Sequence, residues 1–228
     1  MTDTNPFALA PLRDPEEPRC ACILLLDVSF SMKGERLESL NRALKIFATE
    51  VASDPLSAKR VEAAIVSFGS DVRVEADFTQ ARDFRPLELK ERGNTQMGQA
   101  VLTATDMLKD RKEVYKQNGV EYFRPWIFLI TDGGPTDYGT DTWNEAVDRV
   151  REGESKKAFS FFAVGVDDAE FRPLKELCVT PPLKLKGLMF RELFKWLSVS
   201  MASISGSQPG DSVVLEDYSA WGEAPGRD

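Results

Sequence analysis

The chain has 228 residues, 42% hydrophobic and 29% charged; this is ordinary globular usage and argues against disordered, collagen-like and coiled-coil classes. Acidic residues outnumber basic ones 37 to 29, a formal charge of −8, which speaks against a nucleic-acid backbone as the main partner. Histidine is absent altogether, which removes Ser-His-Asp and Cys-His nucleophile pairs, His-ligated zinc and imidazole acid–base chemistry together.

Residues 1–18 are rich in proline and acid, with no basic segment ahead of an apolar run, so they predict a loose arm and not a secretory signal. CACILLLD (20–27) follows as a continuous apolar run ending in an acid. VEAAIVSF (61–68), PWIFLITD (125–132) and AFSFFAVGV (158–166) are built the same way. Continuous apolarity with β-branched and aromatic enrichment marks strands covered on both faces. DVRVEADF (71–78) alternates instead, and Gly69-Ser70 ahead of it predicts a hairpin into an antiparallel edge strand. LKLK (183–186) is a weaker strand for the far edge.

Helical stripes fill the gaps. They run through Leu37, Leu40, Leu44, Phe47 and Val51, then through Met97, Val101, Ala104 and Leu108. Trp143, Val147 and Val150 form a third, Phe171, Leu174 and Leu177 a fourth, and Phe190, Leu193, Leu197, Met201 and Ile204 the last. Strand–helix alternation of this kind predicts an α/β fold: a doubly wound, Rossmann-like, mostly parallel sheet with one antiparallel edge strand and helices on both faces. The length fits one domain over 19–205, at roughly 100–200 residues per domain, with 206–228 as a Ser-, Gly- and Pro-rich tail.

Nothing approaches the ~18 apolar residues of a membrane helix. Cys20, Cys22 and Cys178 read as buried small hydrophobes, and the odd count fits a reduced, cytoplasmic protein. Lys109, Arg111 and Lys112 read as a solvated helix end, and Trp126 and Phe128 as core. Trp221 must dock, either on its own domain or on a partner.

In an open α/β sheet, ligands bind beyond the carboxyl ends of the strands. Asp27-Val28-Ser29-Phe30-Ser31 follows the first strand, and Asp132 with Gly133, Gly134 and Pro135 follows PWIFLIT. Between them Gly93-Asn94-Thr95 sets a hydroxyl ahead of a helix starting near Gln96. Asp27, Ser29, Ser31, Thr95 and Asp132 are all oxygen donors, the set preferred by hard cations such as Mg²⁺. Taken singly, each is equally a helix cap or turn former; gathered on three adjacent loops, they point to a metal site. Asp137 and Asp141 either add negative potential there or cap the next helix.

Asp27-x-Ser29-x-Ser31, the separate Thr95 and Asp132 opening TDGGP together resemble the metal-ion-dependent adhesion site of von Willebrand factor A domains. The resemblance implies a protein-interaction module without enzymatic activity. Ser29, Ser31 and Thr95 would bind Mg²⁺ (or Mn²⁺ or Ca²⁺), Asp27 and Asp132 would complete or orient the site, and a partner's Glu or Asp would finish the shell. Phe30, Gly133 and Gly134 would then face the partner. LLLDVSFSMKGERLESLN, GNTQMGQAV, FLITDGGPTD and the tail with GDSVVLED and Trp221 are most similar to the bacterial TerY/YegL-like branch. That branch implies a tellurite-resistance, stress-response or defence setting with kinase- or phosphatase-like partners. Two positions depart from the pattern: Phe30 stands where a glycine is usual and predicts an exposed apolar rim. Asn94 also replaces a glycine, at a place where Asn tolerates left-handed angles.

The rival from another class is a haloacid-dehalogenase-type phosphatase, which also sets an aspartate after a buried first strand. It needs a second aspartate two residues on, where this chain has Ser29, which can neither carry that charge nor serve as a comparable proton donor. A structural domain with an empty site is the third alternative.

Overall fold

The structure, a computed structural model, describes residues 16–211 and 215–225; most of the predicted arm, with residues 212–214 and 226–228 of the tail, lies outside them. In chain order the elements are β1 (Cys20–Asp27), a 3-10 turn (Phe30–Met32), α1 (Glu35–Ser53), α2 (Ser57–Arg60), β2 (Val61–Phe68) and β3 (Val72–Gln80). There follow α3 (Met97–Gln117), β4 (Trp126–Thr131), α4 (Asp141–Ser155), β5 (Ser160–Val166), α5 (Phe171–Leu177), β6 (Leu183–Leu185), α6 (Phe190–Ser205) and β7 (Gly222–Glu223).

The seven strands lie in the order β3-β2-β1-β4-β5-β6-β7. β1, β2, β4, β5 and β6 run parallel, with antiparallel partners at both edges, β3 beside β2 and β7 beside β6. The continuous apolar runs are explained by cover on both faces. Cys22, Leu24 and Leu26 of β1 pack with Leu40, Leu44 and Phe47 of α1 and Leu193 and Leu197 of α6. Ala21, Ile23 and Leu25 face the other way, into a layer with Val101 and Ala104 of α3 and Trp143 and Val147 of α4. Each large side chain so buried contributes roughly 1.5–3 kcal/mol relative to exposure. From β1 the chain first winds one way to β2 and β3 and then returns to β4 on the other side. The reversal falls between β1 and β4, and that opens a crevice at their carboxyl ends.

Three expectations change. Helix α3 runs on past its predicted stripe and buries Arg111 instead of ending in a solvated cluster. The Arg111 guanidinium grips Glu62 of β2 through two hydrogen bonds of 2.8 and 2.7 Å, and Tyr115 Oη donates to the same carboxylate at 2.5 Å. At 94 no left-handed residue is needed: Gly93 takes the positive φ, 49°, and Asn94 does not. Helix α4 is capped by neither aspartate but by Thr140, whose Oγ1 accepts from Trp143 N. Asp137 serves α3 instead, its carboxylate accepting from Gln99 N at 3.1 Å.

The tail is also more than a tail. Trp221 is 1% exposed and packs on Trp196 of α6, with ring centroids 5.3 Å apart. Trp196 Nε1 donates in turn to the Glu216 carbonyl at 2.8 Å. The tryptophan thus docks on its own chain, and the next two residues extend the sheet as β7. The cysteines are buried and free, and burial pushes their thiols up, Cys20 to about 12, so they are inert packing residues. No described helix is long and apolar enough to cross a membrane.

Candidate metal centre

Strand β1 ends at Asp27 with the whole strand buried, so the chain must leave the sheet carrying a carboxylate that water does not reach. Two neutral donors meet it. Ser29 N donates to Asp27 Oδ1 at 2.8 Å, and Thr131 Oγ1 donates to Asp27 Oδ2 at 2.6 Å. Thr131 is available because β1 and β4 pair in register up to Leu26 and Ile130, which sets the next residues side by side. Burial pushes the Asp27 carboxyl up to about 6, against the lowering effect of the hydrogen bonds from Ser29 and Thr131, and the neighbouring Asp132 charge adds to the rise.

From Asp27 the loop folds into the 3-10 turn, and its hydroxyls line up. Ser29 Oγ and Ser31 Oγ are 3.0 Å apart, and Ser31 Oγ donates to Asp132 Oδ1 at 2.7 Å. A hydroxyl has one hydrogen; Ser31 gives its own to Asp132, so Ser29 supplies the one between the serines. Backbone bonds bring the third loop in. Phe30 N donates to the Gly93 carbonyl at 2.9 Å, Arg92 N to the Val28 carbonyl at 2.6 Å and Thr136 N to the Thr95 carbonyl at 2.9 Å. Thr95 is therefore tied to the loop after β4 while its own segment is tied to the loop after β1. Its side chain is buried, and its hydroxyl has no hydrogen-bond partner among the described residues. Phe30 is 66% exposed, and Gly133 and Gly134, which follow Asp132, are half-buried.

The donor chemistry fits a divalent cation. The Ser29–Ser31 separation of 3.0 Å is that of the hydrogen bond between them, and it leaves two neutral oxygens of the kind hard divalent cations prefer side by side. Among the described residues no three carboxylate, thiol or imidazole groups converge, so hydroxyls would make up the remainder of the shell. A carboxylate held inside the fold by neutral donors alone gains most from a cation beside it.

The von Willebrand factor type A domain family matches residues 22–192. The chain belongs to that family. A comparison with curated proteins returns no match. Among solved structures, the vWF domain of the type V pili tip protein Mfa5 from Porphyromonas gingivalis superposes with a TM-score of 0.57 at 12% identity, covering 86% of this chain and 99% of that one. The pilus adhesin SpaC from Lactobacillus rhamnosus GG gives 0.66 at 13% identity, covering 82% of this chain and 30% of that one. Proximal thread matrix protein 1 from the mussel byssus, with a zinc-occupied MIDAS motif, gives 0.54 at 15% identity, covering 82% and 48%. At these identities the likeness is one of fold, and the chain spans about half or less of the length of the latter two proteins. Type A domains are interaction modules, generally without enzymatic activity, and they commonly carry a divalent cation.

Two side chains at the site were not singled out from the sequence. Thr131 is one; its signal was the pair of parallel strands ending together. Arg36, in the first turn of α1, is the other: Nη1 donates to Asp132 Oδ2 at 2.8 Å and to the Ser31 carbonyl at 2.9 Å, and Nε donates to Asp167 Oδ2 at 2.8 Å. A cation in a first helical turn opposes the helix dipole, and that anomaly was legible.

Proposed function

We propose that this type A domain grips a partner protein through a bound divalent cation, with Mg²⁺ the first candidate for a donor set made of oxygens alone. Ser29, Ser31 and Thr95 supply hydroxyl oxygens, Asp27 and Asp132 supply charge and orientation, and a Glu or Asp of the partner completes the shell. The observation that carries this is the convergence of three separate loops on one crevice, with a buried carboxylate answered only by neutral donors. Two aspartates roughly offset a divalent ion and hydroxyls withdraw little from it, so a partner carboxylate replaces water with a stronger ligand. One such contact must be joined by further area to offset the entropy of association; the exposed Phe30 is the apolar anchor, and Gly133 and Gly134 would face the partner.

The phosphatase alternative has less support. Both oxygens of Asp27 are engaged inside the fold, a poor position for a nucleophile, and Ser29 holds the place of the acid. The setting we favour is a cytoplasmic tellurite-resistance, stress or defence system with a kinase- or phosphatase-like partner. Its support is the resemblance of the first loop, GNTQMGQAV and FLITDGGPTD to the TerY/YegL-like branch, together with the free buried cysteines.

The test is capture of binding proteins from the native host on the immobilised full chain. A true partner is retained with Mg²⁺, released by excess chelator, lost with Thr95→Ala and with neutralisation of one of its own acidic residues, and weakened by Phe30→Ala. Retention that ignores chelator and Thr95→Ala would move the interface away from the crevice.

A further inference from the structure

Asp132 does not face the crevice as a free carboxylate. Ser31 Oγ occupies its Oδ1 and Arg36 Nη1 its Oδ2, and its side chain is almost wholly buried under these contacts. The guanidinium is itself fixed. Nη1 also donates to the Ser31 carbonyl, Nε is held by Asp167, and Gly34 with φ 76° turns the chain into α1 so that the second helical residue overhangs the crevice. Asp167 is kept in place at a positive φ of 51°. A permanent positive charge thus lies against one of the two carboxylates on which the cation site depends.

We propose that Arg36 sets the charge balance of the cation site, weakening the bare ion so that a partner carboxylate is needed to complete it. Arg36 is a positioning residue that acts through Asp132, and the inference rests on the ion site proposed above. Counting charges shows why. Asp27 with the two carboxylates that Arg36 grips, Asp132 and Asp167, and Arg36 itself carry −2, which a divalent ion offsets; the Glu170 carboxylate against Gly134 adds the same charge with or without Arg36. Without Arg36 the same group carries −3, holds the ion more tightly and stays negative when loaded, and a negative surface repels an incoming carboxylate. The orientation of Asp132 has the same sense. With one oxygen on Arg36 and the other on the Ser31 hydroxyl, Asp132 would act on an ion through Ser31 and not as a direct ligand, which would leave room for an outside carboxylate. Asp167 shares the guanidinium, so it decides how much of that charge falls on Asp132.

The experiment is isothermal titration of the chelator-stripped full chain with Mn²⁺ alone. Arg36→Gln should tighten Mn²⁺ binding about tenfold, equivalent to ~1.4 kcal/mol, while Arg36→Lys, which keeps the charge and loses the fork, should stay within about threefold of wild type. Asp167→Asn should weaken binding about threefold, because the whole guanidinium charge then rests on Asp132; Asn tolerates the positive φ at that position. Measurable wild-type binding with an unchanged or weaker Arg36→Gln overturns this inference alone. Binding in neither protein overturns the ion site as well. Should Arg36→Gln fail to fold, unchanged or tighter binding in Asp167→Asn overturns the inference on its own.

Discussion

The two ends of the sheet each bury carboxylate, and they treat it differently. At the amino end of β2, Glu62 meets Arg111 through a paired fork, the Tyr115 hydroxyl, and Arg19 Nε at 3.4 Å. Its charge is answered entirely from within the chain. At the carboxyl end of β1, Asp27 meets neutral donors from Ser29 and Thr131, and burial holds its carboxyl up at about 6. A buried acid that the fold itself neutralises is architecture. One that the fold leaves to neutral donors has no counter-charge of its own, which is what the proposed cation would supply.

Substitution should therefore act with opposite sign at the two ends. The largest effect is expected from Glu62→Gln, which removes the buried carboxylate that Arg111 grips and Arg19 faces and costs roughly 3–5 kcal/mol. Its thermal midpoint should fall by about 10 °C for a chain of this size, equally with and without divalent ion. Asp27→Asn should instead raise the midpoint of the chelator-treated protein at pH 7, because an amide carries no charge to be buried. A fall comparable to that of Glu62→Gln would erase the distinction between the ends.

Acidity offers a smaller and sharper comparison. The carboxyl of Asp27 is raised in the fold from its ordinary value of 3.8 to about 6, so the folded chain holds a proton that the unfolded chain has released. The stability this contributes is complete below pH 3.8 and is lost as pH rises through about 6, at most about 3 kcal/mol. Ion binding needs the deprotonated form, so the stabilisation by Mg²⁺ should grow across the same window. Chelator-treated wild type and Asp27→Asn, unfolded in denaturant from pH 4 to 7, should converge at the acid end and separate toward neutrality. Parallel curves would mean that Asp27 titrates normally. The smallest effect is expected at the rim, where Phe30→Ala should leave both midpoint and ion affinity unchanged.

Much of this was legible in the sequence, and the gaps have physical reasons. The apolar runs at 20–27, 61–68, 125–132 and 158–166 announce buried parallel strands because cover on both faces demands it, and their ends then locate the crevice. Charged residues were harder. Arg111 looked like solvated helix end because sequence shows the charge and not Glu62, 49 positions away. Arg36 was passed over for the same reason: Asp132 and Asp167 reach it only once β4 and β5 are laid in the sheet. The strand β7 is two residues long and owes its place to the burial of Trp221, which no periodicity can signal.

The proposed function requires the three loops to hold a divalent cation. It is tested most directly by following the thermal midpoint of chelator-stripped protein at pH 7 as Mg²⁺ or Mn²⁺ is added. An ion bound only by the folded chain stabilises it by ~2.7 kcal/mol at a hundredfold excess over Kd, a rise of about 5–10 °C for a domain of this size. The account predicts that rise in wild type and its disappearance in Ser29→Ala and Asp27→Asn, both still folded. An equal rise in all three proteins, or none in wild type, would contradict it.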